Sequence, residues 1–127
     1  MSKIDKALRV ITALPGLLFL SFGLRWLLAP EGMAKELGMP LLDGMARSTQ
    51  IGDLTAFFIA LGASILLGVF TLNRTWLHAA ALLIGGAAVA RTLAWALQDA
   101  AFATEFIIVE AVVAVLVLVA AARLTKA

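Results

Sequence analysis

Apolar residues in this chain run in long unbroken blocks, and the polar residues gather at the breaks between them. Four blocks stand out: Leu8–Ala29, Thr49–Leu72, Trp76–Leu97 and Thr104–Arg123. A helix rises 1.5 Å per residue, so about 20 apolar residues cross a hydrocarbon layer of about 30 Å. Each block meets that length. Ala29-Pro30-Glu31-Gly32 ends the first, Asn73-Arg74-Thr75 makes a tight turn after the second, and Gln98-Asp99 ends the third. A membrane β-barrel needs alternating runs of about ten residues, and nothing alternates here. The first block is too long for a signal peptide and no small-residue cleavage site follows it, so it reads as a retained span. The pattern predicts an all-α protein: one polytopic domain over residues 1–127, built as a four-transmembrane-helix bundle.

Composition strengthens that reading. Of 127 residues, 63% are hydrophobic and 14% charged, with a mean hydropathy of +1.04, whereas a soluble domain is about half apolar and a quarter charged. So small a chain cannot hide this much apolar surface from water; its solvent is lipid. The absence of cysteine removes disulfides, thiolate metal sites and thiol catalysis. No basic stripe suggests a nucleic acid. Orientation follows the Lys/Arg count in the flanks. Lys3, Lys6, Arg9, Arg74, Arg123 and Lys126 lie on one side, Lys35 and Arg47 on the other. Both termini are therefore expected in the cytoplasm, with Pro30–Ser48 and Gln98–Ala103 outside. Trp26 and Trp95 would sit at the outer interface and Trp76 at the inner one, as an aromatic belt. Within the long connector, Met33–Leu37 reads as one or two amphipathic turns closed by Gly38 and Pro40. It is either a cover for the bundle top or a lid over a site.

Four charged residues fall inside the spans: Arg25, Asp53, Arg91 and Glu110. Each costs about 2.5–3.5 kcal/mol on insertion scales. Counting from the span ends at 1.5 Å per residue, Arg25 and Asp53 lie about 6 Å deep, Arg91 and Glu110 about 9 Å. All four helices thus supply one charge to the outer half, two positive and two negative. Arg91–Glu110, on sequential antiparallel helices, and Arg25–Asp53 are the expected pairs, the first suited to a two-pronged guanidinium–carboxylate contact. Arg25 has the alternative of snorkelling outward beside Trp26. Such pairs either lock helix register or line a functional cavity, which a headgroup could reach from the outer leaflet. Arg47 would stand at its mouth. The expected ligand-binding set is therefore Arg25, Arg47, Asp53, Arg91 and Glu110.

Small residues recur every fourth position along the second span, at Gly52, Ala56, Ala60, Ser64 and Gly68. They allow close helix packing, within the bundle or against a membrane-protein partner or second copy. Pro15-Gly16 is expected to kink the first span. The lone His78 reads as a headgroup contact. Catalytic templates are missing: no G-x-S-x-G, no P-loop, no H-E-x-x-H, and a single histidine rules out bis-histidine haem. No catalytic, cofactor or metal site is expected.

The order of features resembles a family of small four-helix bacterial membrane proteins, the domain of unknown function 4345, within a looser DoxX-like group. Pro30-Glu31, Pro40, Arg47, Ala60-Leu61-Gly62, Ala90-Arg91 and Glu110 carry the resemblance. It implies a four-helix bundle in a bacterial inner membrane and, through Arg47, Arg91 and Glu110, supports the polar layer; it supplies no reaction. Small multidrug exporters have similar length but carry an acid in the first span, where this chain has Arg25. Three readings remain open: a binding protein for a lipid or other amphiphile, an assembly factor or scaffold for a larger membrane complex, and a proton-coupled transporter or membrane enzyme using Glu110.

Overall fold

The computed structural model describes residues 1–125. Five helices follow in order: α1 (Lys3–Leu28), α2 (Pro30–Glu36), α3 (Gly44–Thr71), α4 (Arg74–Gln98) and α5 (Thr104–Leu124). The four long ones are each long and apolar enough to cross a membrane, and α2 is a single short element inside the connector. Large apolar side chains such as Leu14, Leu18, Leu82, Val89 and Val112 point outward from the bundle. That surface is unsustainable in water and ordinary in lipid. The chain is an integral membrane protein.

Two helices start five residues earlier than their apolar blocks. The Ser2 side chain accepts from the Asp5 N–H at 3.1 Å, an N-cap that starts α1 five residues before Leu8. Likewise α3 begins at Gly44, so its 28 residues reach about 42 Å, more than the hydrocarbon thickness. The turn between α3 and α4 is shorter than expected, only Leu72 and Asn73. Leu72 is left-handed at φ 53° and the Asn73 side chain accepts from the Thr75 N–H at 2.9 Å.

The helices run up and down in sequence order, which brings both termini to one end. Arg123 Nε donates to Asp5 Oδ1 at 2.8 Å. α1 packs chiefly on α3 and α4 on α5, with α3 joining the two pairs. The tightest approach is at Gly62, where a Cβ would lie 2.5 Å from the Leu20 nitrogen and 2.7 Å from the Gly16 carbonyl oxygen. Only glycine lets the α1 and α3 backbones meet there. α1 continues through Pro15 as one helix, and Gly16 is spent on this contact. The small-residue series on α3 divides: Ser64 and Gly68 are buried, the latter against Leu77, while Gly52, Ala56 and Ala60 are exposed.

Trp26 departs from the expected belt. Its side chain is completely buried, together with Met33 and Ala34 of α2. The connector folds back over the end of α1 and covers the indole. Trp76 and Trp95 are outward-facing.

Candidate functional site

At the end of the bundle away from the termini, the connector crosses between α1 and α3. Pro30 occupies the first turn of α2, where its missing N–H costs nothing. Gly38, at φ 78°, ends that helix by a left-handed turn. Gln50 then holds the following loop. Its amide nitrogen donates to the Pro40 carbonyl and to Met39 Sδ, both at 3.0 Å, and its oxygen accepts from the Leu42 N–H at 2.9 Å. This buried glutamine carried no signal beyond being polar near a helix start. Only the return of the connector gives it partners.

Beneath the pinned loop lies a cavity of about 310 Å³, walled by Leu37, Met39, Leu54, Phe57, Phe58 and Ala90, with Arg91 and Glu110 as its charged members. Phe58 belongs to an aromatic cluster with Phe19, Phe22 and Phe57, ring centroids 5.2–6.1 Å apart, so this wall is backed by packed rings. Arg91 and Leu37 also border a wider mouth of about 640 Å³, with Phe102, Glu105 and Phe106. Volumes of about 300–1,000 Å³ are usual for small-molecule sites.

The expected Arg91–Glu110 pair forms. α4 and α5 bring the two side chains together, with Arg91 Nε 3.0 Å from Glu110 Oε1 and 3.1 Å from Oε2. The contact is not the two-pronged one expected, because it is made through Nε alone. The guanidinium lies over the Phe106 ring, 4.7 Å from its centroid, a favourable cation–π arrangement. Neither Nη group has a protein acceptor among the described residues, so up to four N–H donors are left for something else. Glu110 is held at 10% side-chain exposure and its Oε1 receives no hydrogen bond.

The expected Arg25–Asp53 pair does not form. Arg25 instead grips Glu36 with both Nη groups, at 2.9 and 3.2 Å. The reversal of the chain at Ala29-Pro30 carries α2 back along the end of α1, and puts a carboxylate eleven residues away within reach. That guanidinium holds the Glu36 carboxyl below its ordinary pKa. Asp53 points outward and has no ion-pair partner among the described residues. Arg47 binds the Leu42 carbonyl at 2.6 Å and Asp43 at 3.2 Å. It borders a separate depression of about 470 Å³ with Glu31, Lys35 and Pro40, rather than the mouth of the cavity. Of the five residues singled out from sequence, the fold thus unites two, Arg91 and Glu110. His78 is exposed near the opposite end.

The family model described as "Domain of unknown function (DUF4345)" matches residues 7–121, nearly the whole chain. The chain belongs to that family. No curated protein and no solved structure matches it. The DUF4345 match covers most of α1 and α5, all of α3 and α4, and the connector, and so includes every residue of the cavity described above.

Proposed function

We propose that this DUF4345 protein holds a lipid or other amphiphile, its apolar part in the Phe57/Phe58 cavity and its polar head at Arg91. The observation that carries this is the guanidinium itself. In a low-dielectric setting an arginine normally fills its donors, yet Arg91 spends one N–H on Glu110 and presents the others at the opening of an apolar cavity. Glu110 is a positioning residue: its carboxylate and the Phe106 ring fix the guanidinium plane. With the basic terminal end on the cytoplasmic side, the cavity opens in the outer leaflet, in keeping with a bacterial inner membrane.

Native mass spectrometry of the protein, extracted gently from its own membrane, tests this reading. A stoichiometric amphiphile is expected on the wild type and none on the double variant Arg91→Leu/Glu110→Leu, which removes both charges together. An unliganded wild type, or the same adduct on the double variant, refutes it.

A second reading is an assembly partner that uses the outward Gly52–Ala56–Ala60 face of α3. Open space where a Gly52 side chain would stand leaves room for another helix backbone. Ala60→Leu would break co-purification with such a partner and leave the amphiphile in place. The third reading, a proton-coupled transporter or membrane enzyme using Glu110, gains least, since the cavity wall around Glu110 and Arg91 is otherwise apolar and offers no further proton-carrying side chain.

A further inference from the structure

We infer that the head bound at Arg91 is an uncharged hydrogen-bond acceptor, such as an ester or other carbonyl group, and not an anionic headgroup. This rests on the amphiphile-binding reading above and names the ligand class for the same site. A lone arginine in a membrane cavity would ordinarily suggest a phosphate or carboxylate. The charges around this one argue otherwise.

Every guanidinium at this end of the bundle already has a carboxylate: Arg25 has Glu36, Arg47 has Asp43, and Arg91 has Glu110. Lys35 faces its depression beside Glu31. Against these four cations stand seven carboxylates, because Asp53, Asp99 and Glu105 share the same end. Glu105 borders the mouth through which a ligand enters. An anion arriving at Arg91 would meet a net negative surface at the mouth and a pair whose charge is already cancelled inside. Two negative groups would then share one guanidinium in a low dielectric. A cation would sit against Arg91 itself, over the Phe106 face that the guanidinium occupies. A neutral acceptor meets neither difficulty. It takes the spare Nη donors, leaves the Arg91–Glu110 charge balance as it is, and needs no further counter-ion among the apolar walls.

Two lipids with the same acyl esters, one ending in a hydroxyl and the other in a phosphate, decide the matter. The full-length protein is placed in phosphatidylcholine nanodiscs containing equal amounts of dioleoylglycerol and dioleoylphosphatidate, and bound lipid is counted by native mass spectrometry at neutral pH. Dioleoylglycerol is expected to be retained at least about tenfold over phosphatidate, a ratio equivalent to about 1.4 kcal/mol. It should be lost from Arg91→Leu/Glu110→Leu. Glu105→Gln, on the exposed rim, should raise phosphatidate retention. Phosphatidate retained equally or better on the wild type, and lost from the double variant, overturns the neutral-head inference and leaves the binding site standing. Retention of neither lipid, or of both regardless of the double variant, overturns the binding reading and this inference with it.

Discussion

The two ends of the bundle both carry arginines and use them in opposite ways. At the terminal end, guanidinium groups tie off the chain. Arg9 donates to the Val69 and Phe70 carbonyls at 2.7 and 3.0 Å, and Arg74 donates to the Thr125 carbonyl at 2.8 Å. These carbonyls belong to helix C-termini, which have acceptors to spare and carry negative dipole charge. Arg123 joins the first helix to the last through Asp5. Among the described residues this end holds five cations, Lys3, Lys6, Arg9, Arg74 and Arg123, against one carboxylate, Asp5. Lys126, counted at the same end from sequence, lies outside the described residues. At the connector end the balance is reversed. There the arginines meet carboxylates, and one of them, Arg91, faces a cavity with most of its donors unspent. An arginine therefore reports structure or function according to what its donors do, not according to its depth.

Substitutions should separate the two uses. The largest effect is expected from Arg91→Ala, which leaves Glu110 enclosed without its partner; breaking a fully buried pair by removing one partner costs about 3–5 kcal/mol, and the 35% exposure of the Arg91 side chain puts the loss here at the low end of that range. Arg91→Leu/Glu110→Leu should recover most of that stability, since replacing both partners by apolar groups is often neutral. Thermal unfolding in a fixed detergent, followed by circular dichroism, measures both. If the double variant is no more stable than Arg91→Ala, the pair is acting as a structural clasp and the contrast between the ends disappears. Arg9→Ala comes next. It removes two charged hydrogen bonds from the end of α3, and each is worth about 1.5–3 kcal/mol before water replaces it. Because Arg9 is partly exposed, a net loss of about 1–2 kcal/mol is expected, with bound amphiphile unchanged. Loss of the amphiphile in Arg9→Ala would mean that the two ends are coupled.

How far these roles were legible in the sequence depended on how locally each was determined. The four spans follow from length and hydropathy, which act residue by residue. Arg91–Glu110 follows from two helices joined by a short loop, which forces antiparallel neighbours and matches depths. Arg25 was misread because its partner lies in the connector, where nothing local signals that Pro30 will turn the chain back over α1. The same return buries Trp26, which hydropathy alone places in a belt. Gln50 could be read as a polar residue near the charged level, but its role was hidden for a related reason: its three partners lie eight to eleven residues back, in a loop that has no regular structure of its own. The spare donors of Arg91 could not be read at all, because they depend on side-chain geometry and not on pairing.

The smallest effect concerns the strap that closes the connector end. Arg25 holds Glu36 in its charged form, so the Glu36 pKa is lower in the folded protein than in the unfolded chain. A lowered carboxylate pKa contributes stability that is fully present above its unfolded value of about 4.3 and is lost as pH falls through the folded value. Water surrounds this ion pair, so its share of global stability is small, but α2 is short and has few other anchors besides Met33 and Ala34. Amide exchange over residues 30–36, corrected for intrinsic rates, should therefore quicken as pH drops through the carboxylate range. Glu36→Gln should exchange at the faster rate at every pH, with no such transition. The terminal end holds a carboxylate pair of its own, Arg123–Asp5, so the level reference is the buried middle of α3 around Leu61 and Ile65, where exchange should not change over the same range. An acid transition in the middle of α3 as well would mean that the bundle loosens as a whole, and that the Arg25–Glu36 pair does not govern the strap by itself.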